Sequence, residues 1–283
     1  SASLILGSGI SSNRSVLVRS GNSGTMTLGS SSDSTTTLSG LVTAQKNITI
    51  AQQVATTGSN GLNLTGGITS GLAGSQTVTF DGPGRITVNS VLGGGNGTIS
   101  VSKDGAGLLI LGGNNTYAGT TAVNAGTLRL TGSHTGGGAY AVGSIGTLQG
   151  TGSTASALSV AGTLSPGASI ETFASGTLDL LDGSTFAYEV DSSVATSVGA
   201  DLQIVNGDLN LANGLGDTVE LTLADLNGSP TAFTLGTTFT LVNYSGSWNG
   251  GLFTFDGDEV NNGSTFVAGL NTWRLDYDAT SGG

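Results

Sequence analysis

The sequence contains no cysteine and only three prolines among its 283 residues. The absence of cysteine excludes disulfides. It fits an extracellular bacterial protein stabilised by its hydrogen-bond ladders, but it does not fix a cellular compartment. The shortage of proline and the lack of a Gly-X-Y period exclude collagen, although the chain has 50 glycines. No run of about 18 apolar residues occurs, so we predict that no helix spans a membrane.

Charged residues are also scarce, at 9% of the chain, and the net charge is −11. This acidic balance argues against a nucleic-acid partner. The charge is unevenly distributed, because residues 1–129 carry a net +3 and residues 130–283 a net −14. Val, Ile, Leu and Thr recur in short alternating runs, so the low charge does not indicate disorder, and we predict an all-β, turn-rich fold.

A short phrase recurs along the chain, in which a glycine precedes alternating apolar and polar residues. Its clearer copies are GTMTL from Gly24, GTISV from Gly97, GLLIL from Gly107, GTLRL from Gly126 and GTLDL from Gly176. Short strands that repeat about every 20 residues are typical of a parallel β-solenoid, in which each coil pairs only with its neighbours. We therefore predict more than a third of the residues in strands and almost no helix.

The strands and corners of one such coil can be assigned in the stretch GLLILGGNNTYAGTTAVNAGTLRL, from Gly107 to Leu130. Alternation predicts that its inward-facing residues are Leu109, Leu111, Thr121, Val123, Leu128 and Leu130. Residues 112–115 and 124–126 are predicted corners. At the first corner, Asn114 and Asn115 are expected to adopt a left-handed conformation or to cap backbone groups.

The same stretch closely resembles the passenger-associated strand repeat of bacterial autotransporter proteins. The phrases GTLSPGAS, from Gly162, and ADLQIVNGDLNL, from Ala200, also resemble passenger segments. The resemblance covers residues 97–283. Residues 1–96 are similar to the family only in the general character of their sequence. The resemblance implies a right-handed parallel β-helix, located extracellularly or at the cell surface of a diderm bacterium. We expect one departure from the family, namely that its membrane domain does not follow. The end of the sequence is similar to repeat proteins that continue into a C-terminal sorting and anchoring signal.

The C-terminal part differs in composition. Of the fifteen aromatic residues, nine follow residue 230, namely Phe233, Phe239, Tyr244, Trp248, Phe253, Phe255, Phe266, Trp273 and Tyr277. A thin coil cannot hold so many rings, so we expect the cross-section to widen or the end to be capped, as solenoid ends require. We therefore predict solenoid coils over residues 1–230 and an aromatic-rich cap over 231–283 that continues the solenoid.

Few residues are candidates for catalysis. His134, the only histidine, lies in a glycine-rich segment, and we predict that it is a solvent-exposed loop residue. Glu189 and Asp191 could act as a carboxylate pair in glycoside hydrolysis, with further acids upstream at Glu171, Asp179 and Asp182. A polysaccharide lyase would also need a base, and no Lys or Arg lies between Arg129 and Arg274. We therefore predict a solvated acidic face and no enzyme activity.

Two further segments are candidates for binding. The segment DGDEVNNGS begins at Asp256 and makes Asp256, Asp258 and Glu259 candidate calcium ligands, although its spacing differs from that of an EF-hand. A plain acidic turn is the preferred interpretation, and no cofactor is predicted. Trp248 and Tyr244 are candidate glycan-binding rings, and a core or cap role is preferred for both.

The sequence favours a secreted structural protein that forms a cell-surface or extracellular scaffold or fibre. An adhesin-type passenger that binds glycans or a surface is the alternative, and a polysaccharide-active enzyme is the remote one. We expect the chain to associate with itself, because the uncharged segment SASLILGSG presents Leu4, Ile5 and Leu6 on a strand without the charges that blunt an edge. The unlike charges of the two halves favour head-to-tail contact and therefore filaments.

Overall fold

A computed structural model describes residues 2–21, 23–167, 169–194, 199–212 and 214–277. Nearly half of these residues lie in strands, and none of the described elements is a helix. The prediction of an all-β fold is therefore confirmed. It also follows that the described part of the chain contains no helix that could cross a membrane.

The chain divides into two compact units, of which unit 1 comprises Ser1–Leu148 and Gly152–Ser156. The strands of this unit, the last residues of β19 aside, are β1 (Ala2–Leu6), β2 (Ser11–Ser12), β3 (Val16–Val18), β4 (Met26–Ser30), β5 (Thr36–Leu38), β6 (Val42–Ala44), β7 (Ile48–Gln52), β8 (Leu62–Leu64), β9 (Ile68–Ser70), β10 (Ser75–Asp81), β11 (Ile86–Val88), β12 (Leu92–Gly95), β13 (Thr98–Lys103), β14 (Leu108–Leu111), β15 (Thr121–Val123), β16 (Gly126–Leu130), β17 (Ser133–His134), β18 (Tyr140–Val142), β19 (Gly146–Gly150) and β20 (Ser153–Thr154).

The strands of unit 1 stack in parallel ladders. One sheet runs in the order β1-β4-β7-β10-β13-β15-β18, a second in the order β2-β5-β8-β11-β14-β16-β19, and a third in the order β12-β9-β6-β3. Each strand thus pairs with the equivalent strand of the coil before and after it. This pattern is a parallel β-solenoid and confirms the predicted fold class.

Coil length varies more than the sequence repeat predicts. Thr121 pairs with Tyr140, 19 residues later, which agrees with the expected 20. Ile48, however, pairs with Val78, 30 residues later, because residues 53–61 form a long corner. The solenoid therefore has fewer coils per length of sequence than a uniform 20-residue repeat would give.

Side chains of equivalent strands stack in columns inside unit 1. Leu28, Ile50 and Phe80 are in register in one column, and all three are fully buried. In the next sheet Leu109 pairs with Leu128, and both are fully buried too. The six inward-facing residues predicted between Gly107 and Leu130 are all 0% exposed, so that prediction is confirmed.

Close approach of successive coils explains some of the glycines. A Cβ atom on Gly136 would lie 1.7 Å from the carbonyl oxygen of Tyr117 in the preceding coil. Any other residue there would force the two coils apart. Gly136 thus allows the corner that follows His134 to lie directly against the coil below.

Unit 2 comprises Gln149–Thr151 and Ala157–Gly283. Its strands are β21 (Leu158–Val160), β22 (Thr163–Pro166), β23 (Thr172–Ser175), β24 (Leu178–Leu180), β25 (Ser184–Val190), β26 (Leu202–Val205), β27 (Leu209–Leu211), β28 (Val219–Asp225), β29 (Val242–Tyr244), β30 (Thr254–Phe255), β31 (Asp258–Glu259), β32 (Thr265–Ala268) and β33 (Asn271–Arg274).

Unit 2 is also built of parallel ladders, in the orders β21-β24-β27, β22-β25-β28-β30 and β23-β26-β29. Its coils lengthen along the chain, since Leu158 pairs with Leu178, 20 residues later, and Ser184 pairs with Val219, 35 residues later. The parallel pattern ends near the C-terminus, where β31 pairs antiparallel with β30, and β32 and β33 form an antiparallel hairpin. The C-terminal rings pack against one another, as Phe233 does with Phe239 and Trp273. The division predicted at residue 230 stays a prediction.

Candidate functional site

His134 is buried in unit 1, with 1% of its surface exposed, so the prediction of an exposed loop residue is wrong. It lies on β17, which pairs with β20 so that His134 faces Thr154, and it forms a bridge with Asn115. Its ring stacks on Tyr117 at a centroid distance of 4.0 Å and an interplanar angle of 18°. The glycine-rich sequence suggested an open loop, but here the glycines permit close packing.

A chain of hydrogen bonds connects this histidine to two tyrosines and a threonine. The Tyr117 hydroxyl lies 2.7 Å from Thr121 Oγ1 and 3.1 Å from the Tyr140 hydroxyl. The Tyr140 hydroxyl lies 3.1 Å from His134 Nδ1, and His134 Nε2 lies 2.7 Å from the carbonyl oxygen of Tyr117. Because a carbonyl only accepts, Nε2 carries the proton, and Nδ1 accepts from Tyr140. We call these four side chains the histidine cluster.

The histidine cluster is neutral. Burial lowers the pKa of His134, and it raises the pKa of both Tyr117 and Tyr140. The ring nitrogens of His134 are both engaged by buried groups, which suits packing between coils better than proton transfer to a substrate. No sequence pattern predicts the contact between Tyr117 and Tyr140, since the two residues belong to different coils.

Among the described residues of unit 2, Asp201 is the most buried carboxylate, with 1% of its surface exposed. Its Oδ1 accepts a hydrogen bond from Glu171 N at 3.0 Å, and its Oδ2 accepts one from Glu189 N at 3.1 Å. Burial raises the pKa of Asp201 to about 7, although these two bonds oppose the rise. The sequence pattern does not predict the role of Asp201, because its partners lie 30 and 12 residues earlier in the chain.

Of the acids predicted as candidates for catalysis, Asp191, Asp182 and Asp179 accept hydrogen bonds within the protein, whereas Glu189 Oε2 is buried without a hydrogen-bond partner among the described residues. Asp191 Oδ1 accepts from Ser193 N at 2.9 Å, and Asp182 Oδ1 accepts from Thr218 N at 2.9 Å. Asp179 Oδ1 accepts from Asn210 Nδ2 at 2.6 Å. Burial raises the pKa of Glu189. These contacts are those of turn and coil caps rather than of an acid–base pair facing a cleft.

The calcium candidates lie at the β30–β31 turn. Asp256 has a positive φ of 52°, and its backbone N–H donates to Glu220 Oε1 at 2.7 Å. Asp258 and Glu259 follow each other in β31, so their side chains point to opposite faces. Within the described residues, no three His, Cys, Asp or Glu side chains are placed to hold a metal ion. The preference for a plain acidic turn over calcium binding stays a prediction.

The two candidate glycan-binding rings are partly covered. Trp248 stacks on Tyr277 at 5.1 Å with an interplanar angle of 7°, and its Nε1 donates to the Gly251 carbonyl at 2.9 Å. Tyr244 is half-buried at the end of β29. One face of Trp248 is thus used in packing, which favours the cap role over glycan binding.

The predicted self-association residues lie on β1, the first strand of its sheet. Leu4 is in register with Leu28, yet 42% of Leu4 is exposed and Leu28 is fully buried. Ala2 N donates to Thr25 O, so alternate residues of β1 bond to β4, and the backbone groups of Ser3 and Ile5 point to the other side. Among the described residues no strand pairs with that side. Leu6 is half-buried.

Unit 1 also contains a buried lysine that the sequence pattern does not predict. Lys103, on β13, is 2% exposed and pairs with Val123 in the interior column of its sheet. Its ammonium donates to the carbonyl oxygens of Gly105 and Ala125. Burial lowers the pKa of Lys103 to about 8. The charge thus caps two corners, one in its own coil and one in the next.

The ladders and internally bonded polar groups define each unit as a parallel β-solenoid whose inward polar side chains serve the stacking of coils. Residues 101–130 match the family model described as the passenger-associated-transport-repeat. A comparison with curated proteins finds no match for the chain. The matched segment contains Lys103, Asn115, Tyr117 and Thr121, so the repeat contributes to both the lysine cap and the histidine cluster.

Proposed function

We propose that the protein is a structural passenger domain, a non-enzymatic β-solenoid scaffold presented outside a diderm cell. The passenger repeat at residues 101–130 is the observation that carries this proposal. The interior supports it, because the buried polar residues of that segment bond to neighbouring coils rather than converge on a cleft. A scaffold needs stiffness and length, and stacked coils supply both.

The remote alternative, cleavage of an acidic polysaccharide, has less support. Asp191 and Asp201 accept hydrogen bonds from the protein's own backbone, and Glu189 Oε2 is buried without a hydrogen-bond partner among the described residues, so it does not face an open cleft. A hydrolase would keep two carboxyl groups free on either side of a bound sugar. Turnover of an acidic polysaccharide that is lost in Glu189→Gln would overturn the non-enzymatic assignment.

We propose further that the chain associates with itself through β1. Three features support strand addition at this edge: the outward backbone groups of Ser3 and Ile5, the exposed Leu4, and the lack of charge along the strand. The unlike net charges of residues 1–129 and 130–283 favour contact between unlike halves of two copies. Such a head-to-tail contact does not close on itself and would give filaments.

Light scattering and negative-stain electron microscopy at low and high salt test this proposal. We expect the full chain to form oligomers or filaments, and deletion of residues 1–9 to abolish them. Leu4→Lys should act like the deletion, and Leu41→Lys is the matched control, because both leucines are 42% exposed. The charge contribution weakens as the screening length falls from about 10 Å at 0.1 M salt to about 3 Å at 1 M, whereas strand addition persists.

Three outcomes separate the parts of the proposal. A monomeric full chain at high concentration in both salts would refute self-association. Equal assembly of the deletion variant and the full chain would refute the role of β1. A specific response on a glycan array, with no assembly, would favour an adhesin over a scaffold.

A further inference from the structure

We infer that His134 is an acid-sensitive latch that joins the coil formed by residues 101–130 to the coil that follows it in unit 1. The inference rests on the geometry of the histidine cluster. His134 lies on β17 in the later coil, and both of its main ring contacts with the earlier coil are made to Tyr117. One residue thus supplies a stacked ring and a hydrogen bond across the same coil boundary.

The neutral form of the ring fits the site, and the protonated form does not. Nε2 must donate to the Tyr117 carbonyl, so Nδ1 accepts from the Tyr140 hydroxyl. A proton added to Nδ1 would point at that hydroxyl hydrogen. The Tyr140 hydroxyl would have to turn its hydrogen away from His134, towards the side chain of Tyr117 or of Thr154. Protonation of the ring therefore removes the hydrogen bond that Tyr140 donates to Nδ1 and reorients the Tyr140 hydroxyl.

Among the residues that the structure describes, no acidic side chain contacts the ring to compensate a positive charge. The titratable groups facing His134 are Tyr117 from the earlier coil and Tyr140 from its own coil, and both are neutral. Its partners in the ladder are uncharged, namely Asn115 on one side and Thr154 on the other. An imidazolium here would be buried without a carboxylate, which is costly in a protein interior.

The direction of the pH effect follows from this burial. Because burial lowers the pKa of His134, the folded unit binds the proton less readily than the unfolded chain does. The contribution of neutral His134 to stability is therefore complete above the unfolded pKa of about 6.5, and it is lost as the pH falls below that value. Acidification therefore weakens the contacts that His134 makes between the two coils, and neutral pH restores them.

The corner after His134 is the part of the coil that the latch holds. Gly136 packs against the Tyr117 carbonyl, the same oxygen that accepts the His134 hydrogen bond. The strand β17 has two residues, so few ladder bonds hold this corner in place. We therefore expect residues 133–140 to open before the longer strands β10 and β13 of the same unit.

Nuclear magnetic resonance tests the first step, because the chain has a single histidine and its ring signals need no assignment. We expect the His134 pKa in the folded chain to lie below its value in the same chain in denaturant. Equal or higher values in the folded chain would overturn the inference. This measurement needs no variant, so it stands even if a substitution at His134 prevents folding.

Hydrogen–deuterium exchange, corrected for intrinsic rates, tests the second step between pH 7.5 and pH 5. We expect amides of residues 133–140 to open more readily on acidification, by up to about tenfold per pH unit for one proton, while β10 and β13 change less. His134→Gln should remove this pH dependence. The control Thr135→Gln, at an exposed position on the same corner, should keep it. Equal pH dependence in wild type and His134→Gln would refute the latch.

Discussion

Substitution of Leu128 by aspartate tests the inward register of the coils. Leu128 is fully buried on β16 and pairs with Leu109, which is also fully buried. Truncating a buried leucine costs about 2–5 kcal/mol, and a carboxylate placed there without a partner costs several kcal/mol more. Domains have about 5–15 kcal/mol of stability in total, so Leu128→Asp should remove most of the stability of unit 1.

Thr127→Asp is the matched control, because Thr127 precedes Leu128 on the same strand and is only partly buried. Urea unfolding followed by circular dichroism should give a change of about 1 kcal/mol or less for the control. The deficit of Leu128→Asp should shrink at low pH, where the introduced carboxyl group is neutral, by at most about 1.4 kcal/mol per pH unit. Wild-type stability in Leu128→Asp would show that the assigned inward face is wrong.

Two further predictions concern buried polar residues. Asn115 is fully buried, and its side chain accepts a hydrogen bond from Leu92 N and donates one to the Gly113 carbonyl. Asn115→Ala should therefore lower the free energy of unfolding in urea by about 1–3 kcal/mol. The control Asn114→Ala, at an exposed position, should lower it by less than about 0.5 kcal/mol. Equal effects would refute the capping role. The pKa of Asp201 is raised to about 7 from its ordinary 3.8, so its ionised form opposes folding, and the exchange protection of β26 in unit 2 should rise as the pH falls from 8 to 5. This rise is opposite to the fall in protection expected for residues 133–140 in unit 1. A fall in the protection of β26 over this range, or an equal rise in Asp201→Asn, would contradict the assignment.

The sequence predicts the strands well where alternation is strong and the corners are short. Leu109, Leu111, Leu128 and Leu130 alternate with outward residues, and a strand period of two fixes their direction. The left-handed conformation suggested for Asn114 and Asn115 does not occur, since Asp256 is the one non-glycine residue with positive φ among those described. The side chain of Asn115 instead caps two backbone groups, Leu92 N and the Gly113 carbonyl, which is the other role predicted for it.

The buried polar groups were harder to predict, because their partners belong to other coils. Lys103 occupies an interior position that alternation alone assigns to an apolar residue, and it is tolerated there because two carbonyl oxygens accept from its ammonium. His134 is likewise buried, in a glycine-rich segment, because the Tyr117 carbonyl and the Tyr140 hydroxyl bind its two ring nitrogens. The coil register decides which residues meet, and it depends on corner lengths that vary from coil to coil.

Amide exchange along β1, measured against protein concentration, tests the scaffold proposal most directly. The N–H groups of Ser3 and Ile5 point away from β4, whereas Ala2 N already donates to Thr25 O. If copies associate by strand addition, Ser3 and Ile5 should become protected as the concentration rises, at both low and high salt, and Ala2 should change much less. Unprotected exchange of Ser3 and Ile5 at every concentration would contradict association through β1.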